Sequence, residues 1–216
     1  MAKKILVVGA NGKMGSMVCE VLKNYCEIIK FAKGDKMDKF GADLVIDFGS
    51  AESSVLSAEY CLKNRVSLIV GSTGQSESEL QKIRQVAKVA PFMICSNFSI
   101  GVAILKKCIK KILQVDVSDI CIFEKHHRAK KDAPSGTAVS LEKFIKALSK
   151  NDVQVLSERG GEEIGTHRVD FYLGSELISI SHQAFSRKVF ADGVERAALF
   201  MLEQKAPKEF FFDDMV

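Results

Sequence analysis

Lys4–Gly15 reads K-I-L-V-V-G-A-N-G-K-M-G, an apolar, β-branched run to Val8 followed by a glycine-rich turn from Gly9 to Gly15. A helical pattern continues from Met14 to Asn24, with Met17, Val18, Val21 and Leu22 on one face. Strand, glycine turn and helix in that order is the context in which such a turn binds a dinucleotide. Gly12 lets the backbone approach a pyrophosphate, the helix start supplies N–H donors, and Gly15 permits close helix–strand packing. The spacing is G-x-x-G-x-x-G, with Ala10 where the commoner G-x-G-x-x-G places a glycine.

Outward from this stretch, strands and helices alternate. Strands are expected at Glu27–Ala32, Leu44–Phe48, Ser67–Val70 and Phe92–Cys95, with helical segments to about Lys63 and over Glu77–Val89. Turns rich in Gly, Ser, Thr and Asn recur at the strand ends: G-S-A-E-S after Phe48, G-S-T-G at Gly71–Gly74, and S-N-F-S-I-G after Cys95. In a doubly wound sheet those ends lie along one edge, where ligands bind. A dinucleotide site specific for NAD usually carries an acidic residue at the end of the second strand. Here that place holds Lys33, followed by Gly34, Asp35 and Lys36. Lys33, Lys36 and Lys13 suit a 2′-phosphate, whereas Asp35 leaves NADH open, so NADPH and NADH both stand.

The second half changes character. Ile100–Leu113 is an amphipathic helix with Ile104, Leu105, Cys108, Ile109 and Leu113 on the expected buried face. An apolar strand (Ile120–Phe123) leads into E-K-H-H-R-A-K-K-D-A-P-S-G-T-A, from Glu124 to Ala138, and then a helix to Leu148. Strands follow at Val153–Ser157, Ile164–Leu173 and Glu176–Phe185, with a Gly174-containing hairpin turn, then a last helix, Phe190–Glu203, and the apolar F-F-F tail. The fold class is α/β, an N-terminal Rossmann-type doubly wound parallel sheet joined to a C-terminal α+β domain with an open mixed sheet. The expected domains are residues 1–99, rejoined by the return at 190–216, and residues 100–189, with the open sheet face free for oligomer contacts.

The Glu124–Ala138 stretch concentrates chemistry. A strand ending in His126 and His127, with Arg128, Lys130 and Lys131 beside them, presents proton donors and cations. Ser135, Gly136 and Thr137 start a helix that can seat a carboxylate. A basic run is often no more than a solvated face, but this one accompanies a cofactor crevice and suits a small dicarboxylate that must be protonated. The 216 residues, 47% hydrophobic and 27% charged, fit an ordinary globular protein. A net charge of +4, no Trp and three Tyr argue against nucleic acid. The six cysteines show no metal spacing, so free thiols in a reducing compartment and no metal site are expected. No apolar stretch is long enough for a membrane span, so a cytoplasmic location is expected.

Taken together, V-G-A-N-G-K-M-G, V-I-D-F, V-G-S-T-G, S-N-F-S-I-G-V, H-H-R-x-K-x-D-A-P-S-G-T and the late S-R-x-V-F-A-x-G-V resemble the 4-hydroxy-tetrahydrodipicolinate reductase (dihydrodipicolinate reductase) family over nearly the whole chain. The resemblance implies NAD(P)H-dependent reduction of 4-hydroxy-tetrahydrodipicolinate in lysine and diaminopimelate biosynthesis, by a homotetramer. It implies dinucleotide contacts at Gly9, Ala10, Asn11, Gly12, Lys13 and Met14, and an adenosine-ribose contact at Lys33. Gly71, Ser72, Thr73, Cys95, Ser96, Asn97 and Phe98 would line the nicotinamide side. It assigns proton donation to His126, a second catalytic cation to Lys130, and the substrate carboxylates to His127, Lys130, Ser135, Gly136 and Thr137. Closure about Ser96–Gly101 would bring the halves into register. Ser72, Gly49 and Ala129 depart from the family pattern, and the chain is short for it. Another two-domain dehydrogenase of a small carboxylate and a non-catalytic NAD(P)H sensor are the rival readings.

Overall fold

The structure, a computed structural model, describes residues 2–31, 37 and 40–216. It divides into two compact units, Met1–Phe98 with Phe190–Met215, and Ser99–Val189 with Val216.

The first unit is built on β1 (Lys4–Val8), β2 (Glu27–Phe31), β3 (Leu44–Asp47), β4 (Ser67–Val70) and β5 (Phe92–Ile94), all parallel in the order β2-β1-β3-β4-β5. Leu6, Val45, Leu68 and Phe92 on these strands join one core cluster, because a parallel sheet covered on both faces has no solvent side. From β1 the chain winds one way to β2 and then the other way to β3, so the C-terminal ends of β1 and β3 flank the switch point where such sheets take ligands. Helices α1 (Lys13–Leu22), α2 (Ala51–Asn64) and α3 (Glu77–Arg84) follow β1, β3 and β4. The helix expected to reach Val89 stops at Arg84 and tightens into a 3₁₀ turn over Gln85–Lys88. Ala32, Lys33, Asp35 and Lys36 lie outside the described residues.

The tail packs on this unit. Glu209 forms a parallel bridge with Phe92, the Phe210 amide donates to the Phe92 carbonyl at 2.8 Å, and the Phe212 ring packs edge-on against Phe98 at 5.3 Å.

The second unit holds α4 (Ile100–Ile112), β6 (Asp119–His126), α5 (Gly136–Leu148), β7 (Val153–Arg159), β8 (Gly165–Leu173) and β9 (Glu176–Ala184), and α6 (Lys188–Glu203) begins at its end. Its mixed sheet runs β7-β6-β8-β9, with β6 and β7 parallel and the remaining pairs antiparallel. Leu105 and Ile109 of α4, Leu141 and Ile145 of α5, and Ile120, Ile122, Val169 and Phe171 of the sheet form one core, so both helices pack on the same face. The opposite face shows Phe123, Leu156, Tyr172 and Leu177 to solvent. The face expected of α4 is corrected in part: Val102, Ala103, Leu105 and Ile109 are buried, while Ile104 and Cys108 are exposed. Gly101 explains the rotation. A Cβ there would lie 2.5 Å from His182 Cδ2, so α4 meets β9 at Gly101, and Leu105 and Ile109 follow on the same face into the core.

Gly193, inside α6, tests the packing of the first unit. An added Cβ would fall 1.7 Å from the Phe98 carbonyl oxygen. Gly→Ala inside a helix ordinarily stabilises by about 1 kcal/mol, whereas here Gly193→Ala is expected to destabilise by about 3 kcal/mol through overpacking. Chemical denaturation reads the sign directly, and a stabilised variant would show that this contact can relax.

Candidate active site

In the first unit, the turn after β1 is shaped by steric contact. Gly9 adopts φ +75, and a Cβ there would meet the Phe48–Gly49 backbone at 2.8 Å. A Cβ on Gly15 would lie 2.1 Å from the Gly9 carbonyl, so helix and turn are in direct backbone contact. Helices α2, α3, α4 and α5 are capped by the side chains of Ser50, Ser76, Ser99 and Ser135, whereas α1 starts at Gly12 with no side-chain cap. The first amides of α1 therefore await an external acceptor, and Asn11, Gly12 and Lys13 beside them are exposed. Ala10 is buried and Met14 half-buried. This edge fits the pyrophosphate of a dinucleotide.

The other residues expected on this edge are placed unevenly. Gly71 and Ser72 are half-buried and Thr73 exposed. The Ser72 hydroxyl lies 2.5 Å from that of Ser54 and accepts from Gln75 Nε2 at 2.9 Å. The Cys95 thiol donates to the Asn97 carbonyl at 3.0 Å, and Ser96 sits between them. Phe98 is buried against Phe48 and Phe212, so only its main chain could face a ligand. Beneath these turns Asp47 accepts from the Gly49 amide at 2.9 Å and the Ser57 hydroxyl at 2.7 Å. Burial pushes its carboxyl up, against the hydrogen bonds of Ser57, Gly49, Ser53 and Ser72. Lys33, the expected ribose contact, lies outside the described residues.

In the second unit, alternation on β6 puts Ile120, Ile122, Glu124 and His126 on the helix-covered face, so the apolar core grades into an acid and an imidazole. The strand runs on to His126 rather than stopping at Phe123. His126 was expected among cations, yet its direct partner is an anion, with Nδ1 2.5 Å from Glu124 Oε2. Glu124 is buried and also accepts from Arg159 Nη1 at 2.9 Å, Arg159 Nη2 at 2.6 Å and the Ser135 amide at 3.2 Å. Burial drives the Glu124 carboxyl upward, but Arg159, Ser157 and His126 outweigh it and leave its pKa at about 2. For His126, burial lowers the pKa, Glu124 raises it, and Lys130 and Arg159 lower it, with a net lowering.

Two more histidines continue the row. His167 sits opposite Glu124 in the β6–β8 register and opposite His182 in the β8–β9 register. Its ring is edge-on to His126 at 5.2 Å and stacked on His182 at 6.3 Å. Burial first, then the neighbouring imidazoles, push His167 down to about 3, so it is neutral at physiological pH. His167 Nε2 lies 3.2 Å from Ser135 Oγ, and His182 Nε2 lies 3.1 Å from Ser99 Oγ. The Nδ1 atoms of both are buried without a partner.

The loop after β6 brings the remaining expected residues to the same end of the sheet. His127 is half-buried and its amide donates to the Glu163 carbonyl at 2.7 Å. Lys130 Nζ donates to Asp132 Oδ1 at 2.8 Å, and the Asp132 carbonyl accepts from Arg159 Nη2 at 2.6 Å. Ser135 is buried; its hydroxyl caps the Ala138 amide at 3.2 Å and its own amide is taken by Glu124, so it shapes the helix start from within. Gly136 is exposed and Thr137 half-buried at the first turn of the 13-residue α5, the place for an anion. Sequence reasoning missed Glu124, Arg159, His167 and His182 as members of this constellation. The signal for Glu124 was present, because it stands two residues before His126 on a strand. Among the described residues there is no group of three or more His, Cys, Asp or Glu that could hold a metal.

Comparison with known proteins agrees over both units. Residues 26–98 match the family described as dihydrodipicolinate reductase, N-terminus, and residues 101–216 match dihydrodipicolinate reductase, C-terminus. A 4-hydroxy-tetrahydrodipicolinate reductase of Campylobacter jejuni is 33% identical over 229 residues, covering 94% of this chain and 95% of that protein. The enzyme of the same name from Rickettsia bellii is 34% identical, covering 91% of this chain and 88% of the relative. Among solved structures, the dipicolinate-bound dihydrodipicolinate reductase from Paenisporosarcina sp. TG-14 superposes with a TM-score of 0.83 at 20% identity, covering 100% of both chains. An aspartate dehydrogenase from Thermotoga maritima shares the fold less closely, with a TM-score of 0.60 at 17% identity, 95% of this chain and 98% of that one.

The position of His126 can be tested at Gly165, where an added Cβ would lie 2.8 Å from His126 Nε2 and 3.2 Å from Cδ2. Gly165→Ala is expected to push the ring off Glu124 and to cost about 1–3 kcal/mol of stability. Thermal unfolding and the His126 imidazole NMR signals report the two effects. Wild-type signals in the variant would mean that the ring does not pack there.

Proposed function

This chain belongs to the dihydrodipicolinate reductase family, and from that premise we propose that it is a 4-hydroxy-tetrahydrodipicolinate reductase. The reaction is the NAD(P)H-dependent conversion of (2S,4S)-4-hydroxy-2,3,4,5-tetrahydrodipicolinate to tetrahydrodipicolinate with loss of water, a step of lysine and diaminopimelate biosynthesis. The observation that carries this reading is the convergence, at one end of the second sheet, of a carboxylate-held imidazole, a lysine and the start of a helix. A dicarboxylate needs that set. The fold alone would not decide, since an aspartate dehydrogenase shares it.

When bound, a reduced nicotinamide supplies the hydride, and the uncapped start of α1 with the turns after β3, β4 and β5 would hold it. The residues of the second unit do the rest. The Gly136 and Thr137 amides and Lys130 would hold the substrate carboxylates, with Lys130 exchanging Asp132 for the ligand, and His127 would flank them. Reduction leaves an enamine with carbanion character, to which His126 would give its proton. Burial lowers the proton affinity of that imidazole in the free protein, and an arriving dianion would raise it toward working pH. Neither rival reading gives a reason for this grouping, and a sensor that does not turn substrate over has no use for a proton donor. The ligand of the Paenisporosarcina structure, dipicolinate, is a planar dicarboxylate of the same class.

A coupled assay that generates the substrate from aspartate semialdehyde and pyruvate should show oxidation of NADPH, NADH or both. His126→Gln should cut kcat by ~100-fold or more with cofactor Kd unchanged, as loss of a general acid does. No cofactor oxidation by the wild-type chain would refute the assignment, and full turnover in the variant would remove His126 from its role.

The exposed face of Phe123, Leu156, Tyr172 and Leu177 supports a homotetramer assembled through this sheet. Sedimentation equilibrium should return about four times the 23.8 kDa chain mass. Leu156→Asp should dissociate that species, and a wild-type monomer would end the proposal.

A further inference from the structure

We infer that Glu124 is the positioning residue of the site: it fixes neutral His126 as the Nδ1–H tautomer and makes Nε2 the atom that carries the transferable proton. What that proton is for rests on the function proposed above. The tautomer does not.

The inference follows from counting donors. Glu124 Oε1 receives Arg159 Nη2 and the Ser135 amide, and Oε2 receives Arg159 Nη1 and lies against His126 Nδ1. A guanidinium and a backbone amide can only donate, and the two-pronged Arg159 cation holds the Glu124 carboxyl in its ionised form. A carboxylate fully committed as acceptor has no proton to give His126, so the shared hydrogen belongs to Nδ1. The lone pair of the neutral ring then sits on Nε2, beside the position where Gly165 lacks a side chain. Proton uptake and release at Nε2 leave the Glu124 bond intact, and the ring keeps its aim through the cycle.

Glu124 also sets what surrounds that imidazole. The charged and titratable groups facing His126 are Glu124 on its own strand, Lys130 in the following loop, Arg159 on β7 and His167 on β8. Of these, Glu124 raises the proton affinity, while Lys130 and Arg159 oppose it. Through Arg159 the same carboxylate reaches the Asp132 carbonyl, and Asp132 holds Lys130. Through the Ser135 amide it reaches the start of α5. One buried group thus holds the donor, the cation and the anion seat in a fixed arrangement.

Nitrogen-15 NMR of the wild-type chain above the His126 pKa tests the tautomer without any substrate. The expected pattern is protonated Nδ1, and protonated Nε2 would overturn the inference. For the role, Glu124→Gln should lower kcat by ~10- to 100-fold, typical for the supporting partner of a functional imidazole. Its alkaline fall in rate should move to lower pH, because the group that raises the His126 pKa is gone, with cofactor KM unchanged. Gln also leaves Arg159 without its counter-charge, so Glu124→Asp is the companion variant. Asp keeps the charge facing Arg159 but withdraws from Nδ1, and it should lose rate at near wild-type Tm. Wild-type kcat and pH profile in either folded variant would overturn the positioning role. If the wild-type chain shows no turnover, the proposed function fails, and the tautomer measurement alone decides this inference.

Discussion

A carboxylate buried among apolar strands imposes conditions on everything near it. Leaving such a charge without partners costs about 3–5 kcal/mol, a large share of the roughly 5–15 kcal/mol that holds a domain together. The second unit meets that condition at Glu124 from three directions: β7 delivers Arg159, the start of α5 delivers an amide, and β6 delivers its own His126. Each delivery constrains the fold. β7 must lie parallel to β6 in the register that sets Arg159 beside His126, and α5 must take Ser135 as its cap. The site geometry is therefore a by-product of satisfying one acid.

The first unit solves a similar problem with other means. Asp47 is as deeply placed, yet its partners are hydroxyls and an amide rather than a guanidinium, and burial wins, raising its pKa. Ser53 and Ser57 of α2 point at it, which pins the start of that helix to the end of β3. The turn after β3 is thereby held from below.

Much of this was legible in the residues, for identifiable reasons. Parallel strands covered on both sides read as unbroken apolar runs, and their ends are marked by glycine, so β1, β4 and the order of elements could be placed almost to the residue. The His-His-Arg stretch announced itself by composition. Its supporting shell did not. Arg159 reaches Glu124 across 35 positions of sequence, and only the pairing of β6 with β7 makes them neighbours. His167 and His182 meet because two strands happen to be in register, which no local pattern encodes. The buried face of α4 was misjudged at Ile104 and Cys108 because hydrophobicity alone cannot show that Gly101 rests on an imidazole.

Glu209 and Phe210 sit against Phe92, and the first unit is interrupted by the whole of Ser99–Val189. During synthesis the first unit therefore stays incomplete, with β5 bare along one margin, until Glu209 and Phe210 have been made. The inserted unit, contiguous in sequence, can collapse first. Vectorial synthesis thus favours completing the second unit before the first, the reverse of the order in which their first residues are made.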